Sequence, residues 1–319
     1  MSKYIIILIG LISILSCKKE VNIDIPNNER KIVLNSVLFA DSVFSVNIYK
    51  SNHIQDKTLA LLYLNNAKVD ILEGGNLLET LKLDSAGCYI GDKGILAQEG
   101  HNYEIVVNVP NLKQVKAKVG VLKQVPIISI DSIGEEQYDF DHRGEMDVNK
   151  FTIYQVKFKD IPNEKNYYRL KVNLPLVVDT LYNYDSTKYT IYKHYADVGI
   201  QTEDPVIELT NETDGYYYFS DILFDGKEYN FNISIMPDFV SDIYSEDGMS
   251  FKTVKESYKD DITISLEHIS YEMFIYMKSV VIQHNTQGAE LFFQAAPVYI
   301  NVEDGFGIVG TSNVDKKNL

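Results

Sequence analysis

Tryptophan is absent from this 319-residue chain, and cysteine occurs only twice, at Cys17 and Cys88. Without tryptophan the chain lacks the ring best suited to stacking on sugars and cations. Two cysteines allow one disulfide at most, and the setting of Cys17 described below removes it from that role. Cys88, within Gly87-Cys88-Tyr89-Ile90-Gly91, then reads as a small apolar residue of a short strand. Positive charge is scarce as well. Thirty Lys and Arg stand against 45 Asp and Glu, a formal charge of −15. Nucleic-acid binding needs a basic footprint, so this balance excludes it, and it argues equally against adhesion to anionic headgroups.

Motifs of common catalytic machinery are missing too. The six histidines, His53, His101, His142, His194, His268 and His284, do not stand at zinc-helix spacings, and HExxH is absent. No Gly-x-Ser-x-Gly elbow presents a nucleophile. Gly305-Phe306-Gly307 and Gly310 do not open a helix after a strand, so they do not read as a phosphate loop. The expectation is a protein that is not an enzyme and carries no obligatory cofactor.

What is present begins at the amino terminus. Lys3 precedes an apolar run from Tyr4 to Leu15, and Ser16 leads into Cys17-Lys18-Lys19-Glu20. Twelve apolar residues fall short of the roughly 20 that span a bilayer. A short cationic segment, a brief apolar segment and a small residue before cysteine specify export, cleavage and lipid attachment. Residues 1–16 are therefore expected to be a lipoprotein signal peptide and Cys17 the lipidated residue, with enough acyl chain for stable anchoring. Lysine and acid directly after the cysteine resemble the signal that places Bacteroidota lipoproteins on the outer face of the outer membrane.

Beyond the leader the dominant period is two. Lys31 to Ala40, Ser42 to Lys50, Ala67 to Glu73, Leu77 to Leu83, Asn102 to Val109 and Val115 to Val121 alternate as strands, several separated by Gly, Asn, Asp or Pro clusters. Gly74-Gly75 reads as a hairpin turn. The fold class is mainly β, with a tether and an immunoglobulin-like sandwich over residues 17–123. Gln124-Val125-Pro126-Ile127 marks a boundary. Residues 124–319 then read as a larger antiparallel β domain, with strands at Phe151 to Lys159, Tyr167 to Val178, Thr187 to Tyr195, Val206 to Leu209, Tyr216 to Phe219, Tyr229 to Met236 and Ile262 to Leu266. One amphipathic helix is expected over about 270–286, because Met273, Tyr276, Met277, Val280 and His284 recur at helical spacing behind a Ser270 cap.

Two side-chain sets stand out. Asp139, Asp141 and Glu145 alternate oxygen ligands near Gly144, a weak calcium candidate, although Arg143 and Lys150 occupy positions where an EF-hand needs oxygens. Twenty-three tyrosines form the second set, and Tyr182, Tyr184, Tyr189 and Tyr192 on an expected long hairpin make a candidate binding surface. Tyrosine also favours strands for packing reasons alone.

Several segments carry a family resemblance: Ile23-Asp24-Ile25, Lys31-Ile32-Val33-Leu34-Asn35, Ala67-Lys68-Val69-Asp70-Ile71 and Asp221-Ile222-Leu223-Phe224-Asp225-Gly226-Lys227. The ending is the most specific, through Tyr271-Glu272-Met273-Phe274-Ile275-Tyr276, Phe292-Phe293, Ala296-Pro297-Val298 and Asn301 to Gly310. Together these resemble the Bacteroidota outer-membrane lipoproteins known as domain of unknown function 4249 (DUF4249). The resemblance covers nearly the whole chain after Cys17. It implies a lipid-anchored accessory of a TonB-dependent outer-membrane transporter, without catalytic residues to carry over. A structural or adhesive surface lipoprotein is the alternative.

Overall fold

The computed structural model describes residues 29–53, 56, 60–142, 145–178, 192–197, 200–208, 216–235, 238–244, 251–257, 262–286 and 297–319. The first strands are β1 (Ile32–Phe39), β2 (Ser45–Lys50), β3 (Leu62–Tyr63), β4 (Lys68–Glu73), β5 (Asn76–Ser85), β6 (Cys88–Ile90), β7 (Asn102–Asn108) and β8 (Val115–Gly120). Alternation in the sequence becomes alternation in burial. Ile32, Leu34 and Leu38 of β1 face inward, as do Val115, Ala117 and Val119 of β8, while Lys118 faces solvent. Gly74 and Gly75 both have positive φ, the conformation that a two-residue hairpin between β4 and β5 demands.

The chain continues as β9 (Ile127–His142), β10 (Glu145–Lys159), β11 (Tyr167–Val178), β12 (Tyr192–Asp197), the short helix α1 (Pro205–Glu208), β13 (Tyr216–Ser220) and β14 (Glu228–Ile235). It ends with β15 (Asp238–Tyr244), β16 (Phe251–Ser257), β17 (Thr263–Ile269), the helix α2 (Tyr271–Thr286) and β18 (Val309–Asn318). Fifteen strands share one hydrogen-bonded network whose main path runs β15-β16-β11-β17-β18-β1-β2-β6-β5-β4-β7-β8, and β14-β10-β9 form a second sheet. Among the described residues every strand pairing is antiparallel except β1 with β18, which is parallel. The protein is thus mainly β, with large antiparallel sheets and, among the described residues, two helices.

Strand β5 pairs with β4 through Asn76 to Leu81 and with β6 through Lys82 to Ser85. The sheet passes from one layer to the next along this strand and wraps a core that includes Leu34, Ile48, Ile71, Ile105 and Val107. Val302 and Val309, from the far end of the chain, belong to the same core. A second core begins at Val125 and lies between the β14-β10-β9 sheet and β11, β13 and β17. At its centre Phe158 touches the rings of Tyr168, Phe224 and Tyr229 at centroid distances of 5.2, 5.6 and 6.1 Å.

Three local outcomes differ from the alternation pattern. Val206 to Leu209, strand-like by composition, begins instead as the single turn of α1. Asp204 caps it, its Oδ1 accepting from Val206 N at 2.9 Å, and Pro205 sits in the first helical position. Capping chemistry outweighs the strand propensity of two β-branched residues there. Next, the acidic segment around Asp139 to Asp147 is continuous strand on both sides of residues 143–144, with Asp141 paired to Met146 and Glu145 to His142. Finally, Val309 to Asn318 form β18 although burial does not alternate along its first five residues, so no period of two marks it in the sequence. Helix α2 agrees with its expected span, and its start is fixed by Ser270, whose Oγ accepts from Met273 N at 3.4 Å and from Thr311 N at 3.2 Å.

One core side chain is anomalous. Glu79 of β5 is fully buried with Leu81, opposite Ile71, and neither of its carboxylate oxygens has a hydrogen-bond partner. Gly91 makes room for it, since a Cβ there would overlap Glu79 Oε1. A buried polar group without partners costs about 1–3 kcal/mol, and more when it bears charge. Glu79→Met, which keeps length and removes both oxygens, should therefore raise the thermal midpoint, a gain of about 2 kcal/mol. An unchanged or lowered midpoint in a calorimetric melt would mean that the carboxyl has a partner in solution.

Candidate functional site

Where the two cores meet, the surface opens into a cleft of about 630 Å³. One side comes from the Gly74-Gly75 turn, the start of β7 and the end of β8, which present Asn102, Glu104 and Lys118. The other comes from the residues entering β11 and from the junction of β17 with α2, which present Glu164, Lys165, Tyr167, Tyr271 and Glu272. Alternation on β8 explains Lys118: its neighbours Ala117 and Val119 take the core positions and the lysine is left outward. Tyr271 is half exposed, with its ring 5.3 Å from that of Tyr167, and Tyr167 in turn packs 4.7 Å from Phe274. Burial raises the Tyr167 phenol above its ordinary value, and the neighbouring Tyr271, Asp221 and Glu272 add to the shift. The ring is therefore a neutral hydrogen-bonding platform at any physiological pH.

Behind the cleft lies a polar network that is buried at Asp160 and Asp221 and exposed at Asp225. Asp160, Asp221 and Asp225 bring carboxylate oxygens within 4.8 Å of one another. Asp160 accepts from the Tyr168 hydroxyl and, at 2.7 Å, from Gly226 N. Asp221 accepts from Asn166 N at 2.8 Å and Asn166 Nδ2 at 3.2 Å, and Asp225 from Asn163 N at 3.1 Å. Burial raises the Asp221 pKa; the Asn166 hydrogen bonds oppose that, and the nearby Asp160 and Asp225 charges reinforce it. Three carboxylates at this spacing suit a hard cation. Here the donors already pin both ends of the turn between β13 and β14, so the network serves first to hold Asn166 and the cleft wall in place. The same turn carries Ile222 and Leu223 outward, 81% and 65% exposed, while Phe224 goes into the core.

His268 belongs to this framework too. Its ring stacks on Tyr168 at 5.5 Å, and Nδ1 donates to the Lys123 carbonyl at 2.8 Å. Burial lowers its pKa, partly offset by that hydrogen bond. It is a packed, neutral histidine and no general base aimed at solvent.

The residues singled out in the sequence lie elsewhere. Tyr182, Tyr184 and Tyr189 fall outside the described residues; Tyr192 opens β12 opposite Val178, with its side chain likewise undescribed. Asp139 and Asp141 lie on β9 and Glu145 on β10, and their side chains are also outside the described residues. Tyr168, Tyr217 and Tyr218 are core residues, and Tyr217 OH donates to the Ile200 carbonyl at 2.6 Å. No motif pointed to the cleft, because its walls are assembled from segments up to 200 residues apart in the numbering, from 72 to 272. The nearest signal is indirect: of the family-like segments, Tyr271 to Tyr276 contributes Tyr271 and Glu272 to the lining, and Asp221 of another holds the lining residue Asn166.

Fold and cleft together define a mainly β protein that offers a polar, ring-lined recess where its two cores join. A profile of the family described as Domain of unknown function (DUF4249) matches residues 18–318, and the chain belongs to that family. No curated protein matches it significantly.

Proposed function

We propose that this protein is a lipid-anchored outer-membrane binding or assembly accessory of a TonB-dependent nutrient uptake system, held at the cell exterior through Cys17 and without catalytic activity. The observation that carries the reading is the order of segments. A twelve-residue apolar run ends at Ser16-Cys17, and the family match starts at the next residue. A short charged tether, Lys18 onward, then precedes the first described residues at 29. No described helix is long and apolar enough to cross a membrane, so lipid on Cys17 would supply the attachment. The acidic balance suits a body that stays off an anionic leaflet. The cleft supports binding: it joins rings, amides and charges, and its one histidine is tied into the framework.

Cys17→Ala should release a folded protein from the membrane fraction and abolish co-purification with a TonB-dependent barrel, without lowering its melting temperature. A Cys17→Ala protein that stays with the membrane overturns the anchor. Recovery of the tagged wild-type lipoprotein without any transporter, from mild detergent, overturns the uptake role and leaves a structural or adhesive one.

A further inference from the structure

The cleft between the two cores carries charges of both signs, with Glu104 and Lys118 opposite one another across β7 and β8 and Glu164, Lys165 and Glu272 on the facing wall. Lys118 on one side and Glu164 and Lys165 on the other are exposed, and Glu104 of β7 and Glu272 at the start of α2 are partly exposed. Among the described residues none of Lys118, Lys165, Glu104, Glu164 and Glu272 forms an ion pair. Elsewhere on the same surface lysines do find acids, as Lys113 does with Asp304 at 2.6 Å and Lys157 with Glu228 at 2.8 Å. The half-exposed Tyr271 ring adds an apolar face with a polar tip.

We infer that the cleft binds a short peptide bearing both a positive and a negative group. Its volume lies within the range of small-ligand sites, about 300–1,000 Å³. A polyanion would meet Glu104, Glu164 and Glu272; a polycation would meet Lys118 and Lys165. A neutral oligosaccharide would leave all five charges without counterparts, and the chain has no tryptophan to stack on it. A peptide supplies an ammonium for the glutamates, a carboxylate for the lysines, and backbone amides for Asn102 and the tyrosine hydroxyls. Complementary charge of both signs also fixes the direction in which it lies, because reversal would set like charges together. The two glycines of the β4–β5 turn have open space around them, so a ligand backbone can approach that rim closely.

This inference rests on reading the protein as a binding accessory but not on its membrane address, so the two fail separately. The test is calorimetric titration of the full-length protein in mild detergent with the tetrapeptide Glu-Gly-Tyr-Lys, and with maltotetraose as a neutral probe of similar length. Saturable peptide binding is expected, weakened by high salt and reduced about tenfold, a change of about 1.4 kcal/mol, by Lys118→Glu and by Lys165→Glu. Both lysines are exposed, and unchanged melting curves would show that the variants fold. Absence of peptide binding, binding indifferent to both reversals, or binding of maltotetraose in preference to the peptide each overturns the inference. The Cys17→Ala fractionation is read independently of all of them.

Discussion

Replacing Phe158 with alanine should destabilise the second core by about 4 kcal/mol, one of the two largest losses expected from any single side chain considered. Phe158 is fully buried on β10, and five aromatic rings surround it, with Phe219 and Phe231 each at 6.3 Å beyond the three nearer ones. Such rings contribute through buried area and through edge-to-face contacts, worth about 0.5–1.5 kcal/mol per pair beyond that area. Truncation leaves a cavity that cannot readily collapse, because the surrounding rings are fixed from behind: Tyr168 donates to Asp160, and Tyr229 OH donates to Asp204 at 2.8 Å. Denaturant unfolding followed by tyrosine fluorescence would read the loss. A change below about 1 kcal/mol would mean that the cluster is loose and the rings rearrange.

How much of this was legible depends on the range over which each feature is encoded. The strands β1, β7 and β8 follow from alternation within a few residues, and α2 from a serine cap followed by an apolar stripe. Such signals are local. The short helix α1 was also encoded locally, in Asp204-Pro205, but Val206 and Ile207 favour strand and the cap is a single pair of residues. The β9–β10 pairing is hidden by its acids: Asp139, Asp141 and Asp147 suggest a solvated loop, yet the backbone register continues through all three. Nothing local encodes the parallel pairing of β1 with β18. Ser36 and Val309 are partners across 273 residues, and neither strand carries a mark of the other. The cleft inherits that obscurity, since its shape depends on how β18 joins the cores.

That joining is unusually direct. Along β18 alternate side chains bond the segment that links the two cores. Thr311 Oγ1 donates to the Gly120 carbonyl at 3.0 Å, Asn313 Nδ2 donates to the Leu122 carbonyl at 3.0 Å and to Glu99 Oε1 at 2.6 Å, and Asp315 Oδ2 accepts from Ile127 N at 2.7 Å. On its other edge β18 pairs with β17, where Ser312 Oγ donates to Glu267 Oε2 at 2.7 Å and Glu267 meets Arg169 of β11 in a buried ion pair. Removing one partner of such a pair costs far more than the pair contributes, so its value lies in specifying register. Both walls of the cleft, β8 on one side and the β17–α2 junction on the other, are thereby referred to a single strand.

The approach of that strand to β1 depends on one glycine, and Gly307→Ala should cost about 3 kcal/mol or more. Gly307 has φ of 108°, which L side chains rarely adopt, and a Cβ there would overlap the backbone carbonyl of Leu34. The overlap cannot be relieved by a rotamer change, since the obstacle is main chain. Nor can β1 move away cheaply: Leu34 N donates to the Phe306 carbonyl at 2.9 Å and Ser36 N to the Ile308 carbonyl at 2.9 Å, on either side of the glycine. Asn35 Oδ1 accepts from Ile308 N at 3.1 Å and closes the remaining gap. Gly305, two residues earlier, also lies against β1, where a Cβ would come within 2.8 Å of the Ile32 carbonyl, so the Gly-Phe-Gly run that fails as a phosphate loop is a contact surface between backbones. The alanine variant should melt earlier, and hydrogen exchange should rise in β18 and in residues 120–127 while β4, β5 and β7 stay protected. Equal loss of protection across the whole first core would show that β18 is an integral part of it, and wild-type behaviour would mean that the parallel pairing of β1 and β18 does not form in solution.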